Sequence, residues 1–255
     1  MKTYHSNEIG NVVVLGHSGS GKTSVIEGMV YRSGGSKKTG KISEGNTISD
    51  YDNEEIKRKM SINTTIIPVE WDNCKINLLD TPGNIDFVGE TLEAIKAAES
   101  ALIIVPATKG ITIGTKQAME KTKDLPHMIY INGLDDPNSA YDVKLNELKE
   151  TFGKAIAPIQ VPIMEGNKMI GYVNVAKMEG RLFQGEQTIP CPIPDSMWDQ
   201  VNPVKEMIDE AVANSSDELL EKYFNGEPFS KEEISWALRQ GVMNKTIIPV
   251  LCGTE

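Results

Sequence analysis

The sequence predicts an α/β protein: a mostly parallel sheet covered by helices, with a smaller α+β subdomain inserted near its end. Three observations predict it. Through the first two-thirds of the chain, short apolar runs alternate with stretches of helical periodicity. From about residue 156 to residue 240 that rhythm breaks, and Pro158, Pro162, Pro190, Pro192 and Pro194 punctuate short strand-like pieces. One last apolar run, Ile247–Leu251, then resumes the series.

In chain order, Val12–Leu15 reads as a buried strand running into a glycine-rich turn. Thr23–Tyr31 follows as a helix with Val25, Ile26, Met29 and Val30 on one side, closed by Gly34-Gly35. Lys37–Met60 is polar, charged and glycine-bearing and lacks apolar anchors. It reads as a long mobile loop with one short helix near Asp52–Lys59, and loops of this kind are usually functional or disordered. Strands are expected at Thr64–Val69, Lys75–Leu79, Ala101–Val105 and Met128–Ile131, with helices at Ile85–Glu99, Thr115–Lys123 and about Ala140–Phe152.

Within the interrupting region, Tyr172–Lys177 is strand-like. Asp199–Asn214 spaces Val201, Val204, Met207, Ile208, Ala211 and Val212 as one helical face. Ser230 with Glu233 has the form of a capping box, and Gly241 is read as the stop of the helix it starts. The expected organisation is a nucleotide-binding core over 1–155, an inserted α+β subdomain over 156–240, and the core's last strand and loop over 241–255.

Composition excludes several classes. Hydrophobic residues make up 39% and charged residues 24%, ordinary for a globular protein with a sizeable core. No apolar run approaches the roughly 20 residues of a membrane span, so no membrane partner is expected. Met1–Gly10 is polar and lacks a basic segment followed by an apolar one, so no export signal is read. Cys74, Cys191 and Cys252 lack metal-ligand spacing and read as reduced structural thiols of a cytoplasmic protein. The net charge of −10 argues against general affinity for nucleic acid. A monomer is expected.

Chemistry enters at Gly16-His17-Ser18-Gly19-Ser20-Gly21-Lys22-Thr23, which fits Gly, any four residues, Gly-Lys-Thr. The pattern alone is moderately specific; its place between an apolar strand and a helix makes it strong. Glycines let successive backbone N–H groups turn toward phosphates, and the helix N-terminus adds its positive end. Lys22 has the reach for the β- and γ-phosphates, and the Thr23 hydroxyl suits Mg²⁺, a hard cation that prefers oxygen. The fold class is therefore a P-loop NTPase fold.

Asp80-Thr81-Pro82-Gly83 follows the strand Lys75–Leu79. Alone, this would be an ordinary strand-terminating turn. After a good phosphate loop, Asp80 reads as the second metal anchor, acting through water, and Gly83 as a backbone N–H donor to the γ-phosphate. Ser61, at the end of the mobile segment, is a candidate to complete the Mg²⁺ shell when γ-phosphate is present.

Asn132-Gly133-Leu134-Asp135 follows the strand Met128–Ile131, beyond whose end an open α/β sheet presents ligands. The Asp135 carboxylate can accept hydrogen bonds from guanine N1–H and N2–H₂, donors that adenine lacks. Gly253-Thr254 follows the last strand and offers guanine O6 a backbone N–H. Without the other motifs, an ordinary Asn/Gly/Asp turn would be the better reading.

In this order and spacing, the motifs resemble the GTP-binding domain of elongation factor G with its inserted subdomain, over essentially the whole chain. The similarity looks closest to divergent paralogues of that factor. The insertion carries it too, in Pro158-Ile159-Gln160-Val161-Pro162-Ile163, Glu218-Leu219-Leu220-Glu221-Lys222-Tyr223 and Ala237-Leu238-Arg239-Gln240, as does the closing Pro249-Val250-Leu251-Cys252-Gly253. The resemblance implies GTP and GDP as ligands, Mg²⁺ as cofactor and ribosome-dependent hydrolysis, with ribosome contacts made by further domains; the chain then reads as part of a longer protein.

Three departures stand out. Asn84 takes the place of the family's usual water-orienting histidine, Gly133 that of the lysine whose stem packs on the base, and Gly19 that of a frequent acidic residue. Asn84 has two readings: a weaker water-orienting group, or the cap of the following helix. The corresponding functions are a GTPase of the elongation-factor-G type and a nucleotide-gated binding module with little turnover. A ribosome-protection GTPase stays within the first class, and Asp135 and the insertion speak against an unrelated P-loop ATPase or kinase.

Overall fold

The computed structural model describes residues 2–108, 110–185 and 187–254. The chain divides into two compact units, one running to Val105 and including Thr112–Pro126, the other made of Pro106–Ile111 and His127–Thr254.

The first unit contains β1 (Ile9–Leu15), α1 (Lys22–Arg32), the short α2 (Asn53–Arg58), β2 (Thr65–Trp71), β3 (Cys74–Asp80), α3 (Val88–Ala97), β4 (Ser100–Pro106) and α4 (Ile113–Lys121). Strand β1 pairs in parallel with β3 on one side and β4 on the other. Such strands are covered on both faces, so they read as unbroken apolar runs: Val13, Val14, Ile103 and Ile104 are wholly buried. Strand β2 joins antiparallel to β3 across Asp72-Asn73, both at positive φ (47° and 62°), the backbone a tight hairpin turn needs. The parallel ladder ends β1 and β3 at the same edge, with Val14 opposite Asp80. This places the Gly16 turn beside the Asp80 turn.

The segment expected to be an unanchored loop does contain the short helix foreseen near Asp52–Lys59, capped by Asp52. It also carries anchors that hydropathy cannot reveal, because they are polar. Thr47, Ser49, Asp50 and Glu55 are buried. The Glu55 carboxylate accepts the N–H groups of Ile62 and Asn63 at 2.9 and 3.0 Å. The helix expected over Ile85–Glu99 starts as a single 3₁₀ turn, Ile85–Phe87, before α3.

The second unit holds β5 (His127–Asn132), α5 (Tyr141–Phe152), β6 (Ile156–Pro158), β7 (Gln160–Glu165), β8 (Lys168–Asn174), β9 (Glu179–Gln184), β10 (Gln187–Cys191), α6 (Trp198–Ala213), α7 (Asp217–Phe224), α8 (Lys231–Met243) and β11 (Ile248–Cys252). Strand β11 lies in parallel between β5 and β6. Strands β7–β10 form a separate antiparallel sheet in the order β10-β9-β8-β7. The apolar face foreseen on α6 is buried at Val201, Val204, Met207, Ile208, Ala211 and Val212. Ala157, Ala211 and Ile247 pack together with Leu238.

Two expectations need correction. The strand expected over Tyr172–Lys177 sits earlier, at Lys168–Asn174. Helix α8 keeps its Ser230–Glu233 capping box but runs through Gly241 to Met243. Gly241 is no stop: Ile247 occupies the space a side chain there would need, so glycine serves close packing inside the helix. Among the described residues no helix is long and apolar enough to cross a membrane. All three cysteines are free, and burial pushes the Cys252 thiol well up.

Candidate functional site

In the first unit the phosphate loop is set by close backbone approaches. Gly21 stands at φ 86° as the residue before α1, a left-handed conformation that favours glycine. A Cβ on Gly16 would lie 2.5 Å from the Ile104 carbonyl oxygen and 2.6 Å from Ser20 Oγ. His17, Ser18 and Gly19 complete the turn, closed by the Ser20 N–H donating to His17 O at 3.1 Å.

Lys22 is buried, and its Nζ donates to Gly16 O and His17 O at 3.2 and 3.3 Å. Burial lowers the pKa of this ammonium, while the Asp80 and Asp50 carboxylates act the other way. These long bonds to its own loop hold the cation where an anion would meet it.

Thr23 Oγ1 donates to Asp80 Oδ2 at 2.8 Å and lies 3.5 Å from Ser61 Oγ. Asp80 is fully buried, and burial pushes its carboxyl up to about 6, against the Ser49, Lys22 and Thr23 groups that favour the anion. Its Oδ1 is buried with no hydrogen-bond partner among the described residues. Thr81, also buried, donates from Oγ1 to Val14 O at 2.7 Å and so ties the Asp80 turn to β1. The Pro82 carbonyl accepts from Thr91 Oγ1 at 3.4 Å. Asn84 caps the 3₁₀ turn after Gly83, its Oδ1 accepting the Asp86 N–H at 3.2 Å. His17, Ser18, Gly83 and Asn84 line a cavity of about 270 Å³ together with Ile113 and Gln117.

The structure thus brings together Gly16–Thr23, Ser61 and Asp80–Asn84, as expected from sequence. It adds three residues that sequence reading missed. Ser49 Oγ donates to Asp80 Oδ2. Asp50 is buried beside this pair, and burial raises its carboxyl. The buried Glu27 carboxylate accepts the N–H groups of Gly40 and Ile48. One signal was available for Glu27: it follows Thr23 by one helical turn, a carboxylate set among the apolar Val25, Ile26 and Val30.

In the second unit two loops meet. Asn132 ends β5 and is buried; its carbonyl accepts the Ala107 N–H at 2.8 Å. Gly133 turns the chain at φ 78°, with open space where a Cβ would stand. The Leu134 N–H donates to Gly253 O at 3.3 Å, and the Gly253 N–H donates to Ile131 O at 2.9 Å. Gly253 passes against the Tyr130 hydroxyl, where no side chain would fit. Asp135 projects as an exposed carboxylate and Thr254 is half-exposed. Asn132–Asp135 and Gly253-Thr254 therefore form one loop pair.

A strand–glycine turn–helix with a buried lysine, beside a hydroxyl–carboxylate pair, defines a P-loop nucleotide-binding domain. The chain belongs to the family of the elongation factor Tu GTP binding domain, whose model matches residues 7–254. It binds guanine nucleotides. The chain is 29% identical over 249 residues to elongation factor G of Mycoplasma genitalium and, equally, to that of Mycoplasma pneumoniae. Each match covers 96% of this chain and 36% of the relative, so the chain spans about a third of their length. A crystal structure of a Thermus thermophilus protein superposes with a TM-score of 0.88 at 31% identity, covering 97% of this chain and 37% of the other.

Proposed function

We propose that this chain is the nucleotide-binding part of a cytoplasmic translational GTPase similar to elongation factor G. It binds GTP with Mg²⁺ and hydrolyses it when the whole protein docks on the ribosome. In this reading residues 1–155 and 241–255 form the GTP-binding core and 156–240 the inserted subdomain. The domain acts as a monomer, and its acidity leaves RNA contacts to other parts of the protein.

The carrying observation is the Thr23–Asp80 hydrogen bond beside the buried Lys22, with Asp80 Oδ1 left without a partner. A buried carboxylate oxygen with no donor is costly, and a hard cation relieves that cost. Thr23, Ser61 and Asp80 fit Mg²⁺ by this measure, Asp80 acting through water. The ion, when bound, neutralises charge on the β- and γ-phosphate oxygens.

The protein groups act as follows. Backbone N–H groups of Gly16–Gly21 and the α1 N-terminus receive phosphate oxygens. Lys22 exchanges its long bonds to Gly16 O and His17 O for charge-assisted bonds to phosphate. Thr81 and Pro82 hold the turn so that the Gly83 N–H faces the γ-phosphate. Asn84 keeps its Oδ1 on the cap, and its Nδ2–H₂ orients the attacking water without taking up a proton. Asp135 accepts the guanine N1–H and N2–H₂, Asn132 braces the loop, and Gly253-Thr254 serves O6.

The test is a calorimetric titration with GTP, GDP and ATP, followed by phosphate-release kinetics with and without ribosomes using the whole protein. Equal binding of ATP and GTP, or release that ribosomes leave unchanged, would overturn the reading.

A further inference from the structure

The segment Gly40–Asp50 is strapped to the first unit at two places, both polar. At the first, Glu27 accepts the Gly40 N–H with Oε2 at 2.7 Å and the Ile48 N–H with Oε1 at 2.5 Å. At the second, Ser49 is clamped by one cross-strand pair, Thr65 opposite Asp80. Thr65 Oγ1 donates to Ser49 O at 3.0 Å, and Ser49 Oγ donates to Asp80 Oδ2. That same oxygen accepts Thr23 Oγ1. Ser49 is buried, so water cannot readily replace its hydroxyl.

We propose that Ser49 is a competing ligand of Asp80: its hydroxyl and a cation contend for the same carboxylate, and Glu27 is the positioning residue that keeps Ser49 there. The proposal rests on the assignment of Thr23 and Asp80 to the Mg²⁺ site. Two hydroxyl protons aimed at Oδ2 draw charge from the carboxylate and present positive charge beside the Oδ1 that a cation, or its bound water, would approach. Mg²⁺ keeps several waters and takes few protein ligands. Thr23 and Ser61, 3.5 Å apart, already supply hydroxyls, so Ser49 is surplus as a ligand. Cation binding and release of Ser49 from Asp80 are therefore linked, each opposing the other. The strap, and not the phosphate loop, then sets how much Mg²⁺ the domain needs to retain nucleotide.

The experiment follows dissociation of a fluorescent GDP analogue across Mg²⁺ concentration. Ser49→Ala removes a hydrogen bond to a charged group, a change worth about ten-fold or more in an equilibrium constant. It should lower the Mg²⁺ concentration for half-maximal retention by about that factor. Glu27→Gln and Thr65→Val loosen Ser49 without removing a hydrogen bond to the Asp80 carboxylate, and should shift the requirement the same way by less. Glu27→Gln should also speed hydrogen exchange across residues 40–50. A requirement left unchanged or raised by Ser49→Ala would overturn the proposal, the raised case making Ser49 a ligand. Retention independent of Mg²⁺ in the unmutated protein would instead overturn the cation assignment on which it rests.

Discussion

The backbone of Gly83 and the ammonium of Lys22 approach so closely that a Cβ on Gly83 would lie 2.5 Å from Lys22 Nζ and 2.8 Å from Ser18 Cα. No left-handed backbone is involved; the constraint is space. Gly83→Ala must push either the lysine or the phosphate loop aside, and overpacking of this kind costs about 1–3 kcal/mol. We expect GTP affinity to fall about ten-fold or more, and GDP affinity to fall less if Gly83 faces the γ-phosphate. Calorimetric titration with both nucleotides, alongside circular dichroism, checks this; equal affinities for parent and variant would refute it.

Lys22→Ala separates binding from stability. Its ammonium is buried on weak bonds to Gly16 O and His17 O, and burial already lowers its pKa. Removing it takes away a desolvated charge, which offsets part of the lost packing. Triphosphate binding should vanish, because phosphate oxygens lose a charge-assisted partner. The nucleotide-free domain should lose no more than about 1–2 kcal/mol in denaturant unfolding. Unchanged GTP affinity would rule out the assigned role of Lys22.

Guanine selection should depend on Asp135 more than on residue 133. Asp135→Asn removes the acceptor for guanine N1–H and replaces it with an amide that cannot accept both donors. The loss should reach about 100-fold or more in GTP affinity. Gly133 stands at φ 78°, where a lysine would pay a left-handed strain of about 1–2 kcal/mol against any packing gained on the base. Gly133→Lys should therefore change affinity by less than about ten-fold. Competition titrations with GTP and ATP measure both variants, and a larger effect at residue 133 would reverse the ranking.

Asn84 should bind water but turn over slowly. Its Oδ1 is engaged by the Asp86 N–H, and its amide takes up no proton near neutral pH. A misplacement of about 1 Å in a positioned water can cost on the order of 100-fold. Asn84→His should raise ribosome-stimulated hydrolysis in the whole protein while leaving nucleotide affinity within a few-fold. It should also cost about 1 kcal/mol of stability through the lost cap. Single-turnover hydrolysis on ribosomes decides, and a parent already as fast as the histidine variant would show that another group positions the water.

The phosphate loop was legible because its glycines, lysine and threonine are consecutive and flanked by a strand and a helix. The turns at Asn132–Asp135 and Gly253-Thr254 were legible because each follows an apolar strand. Strand and helix identities from β1 to α5 came through because their buried faces repeat with the period of the element. Gly241 was misread because a glycine near a helix end has the same letter whether it stops the helix or admits Ile247.

What the sequence by itself determined is the local chemistry: a glycine-rich turn ending in a lysine and a threonine at Gly16–Thr23, an acidic turn at Asp80, and a carboxylate at Asp135 just beyond an apolar strand. What only the tertiary structure decided is which polar groups lose water together. Glu27, Ser49, Asp50 and Thr65 are scattered and individually unremarked in the sequence. The pairing of Thr65 opposite Asp80 brings Ser49 onto the Asp80 carboxylate, and the Glu27 carboxylate holds the return of Gly40–Ile48. Hydropathy marks residues that avoid water on their own account. The Glu27 and Asp80 carboxylates avoid it because backbone and hydroxyl donors from distant positions reach them, and that is a property of the fold.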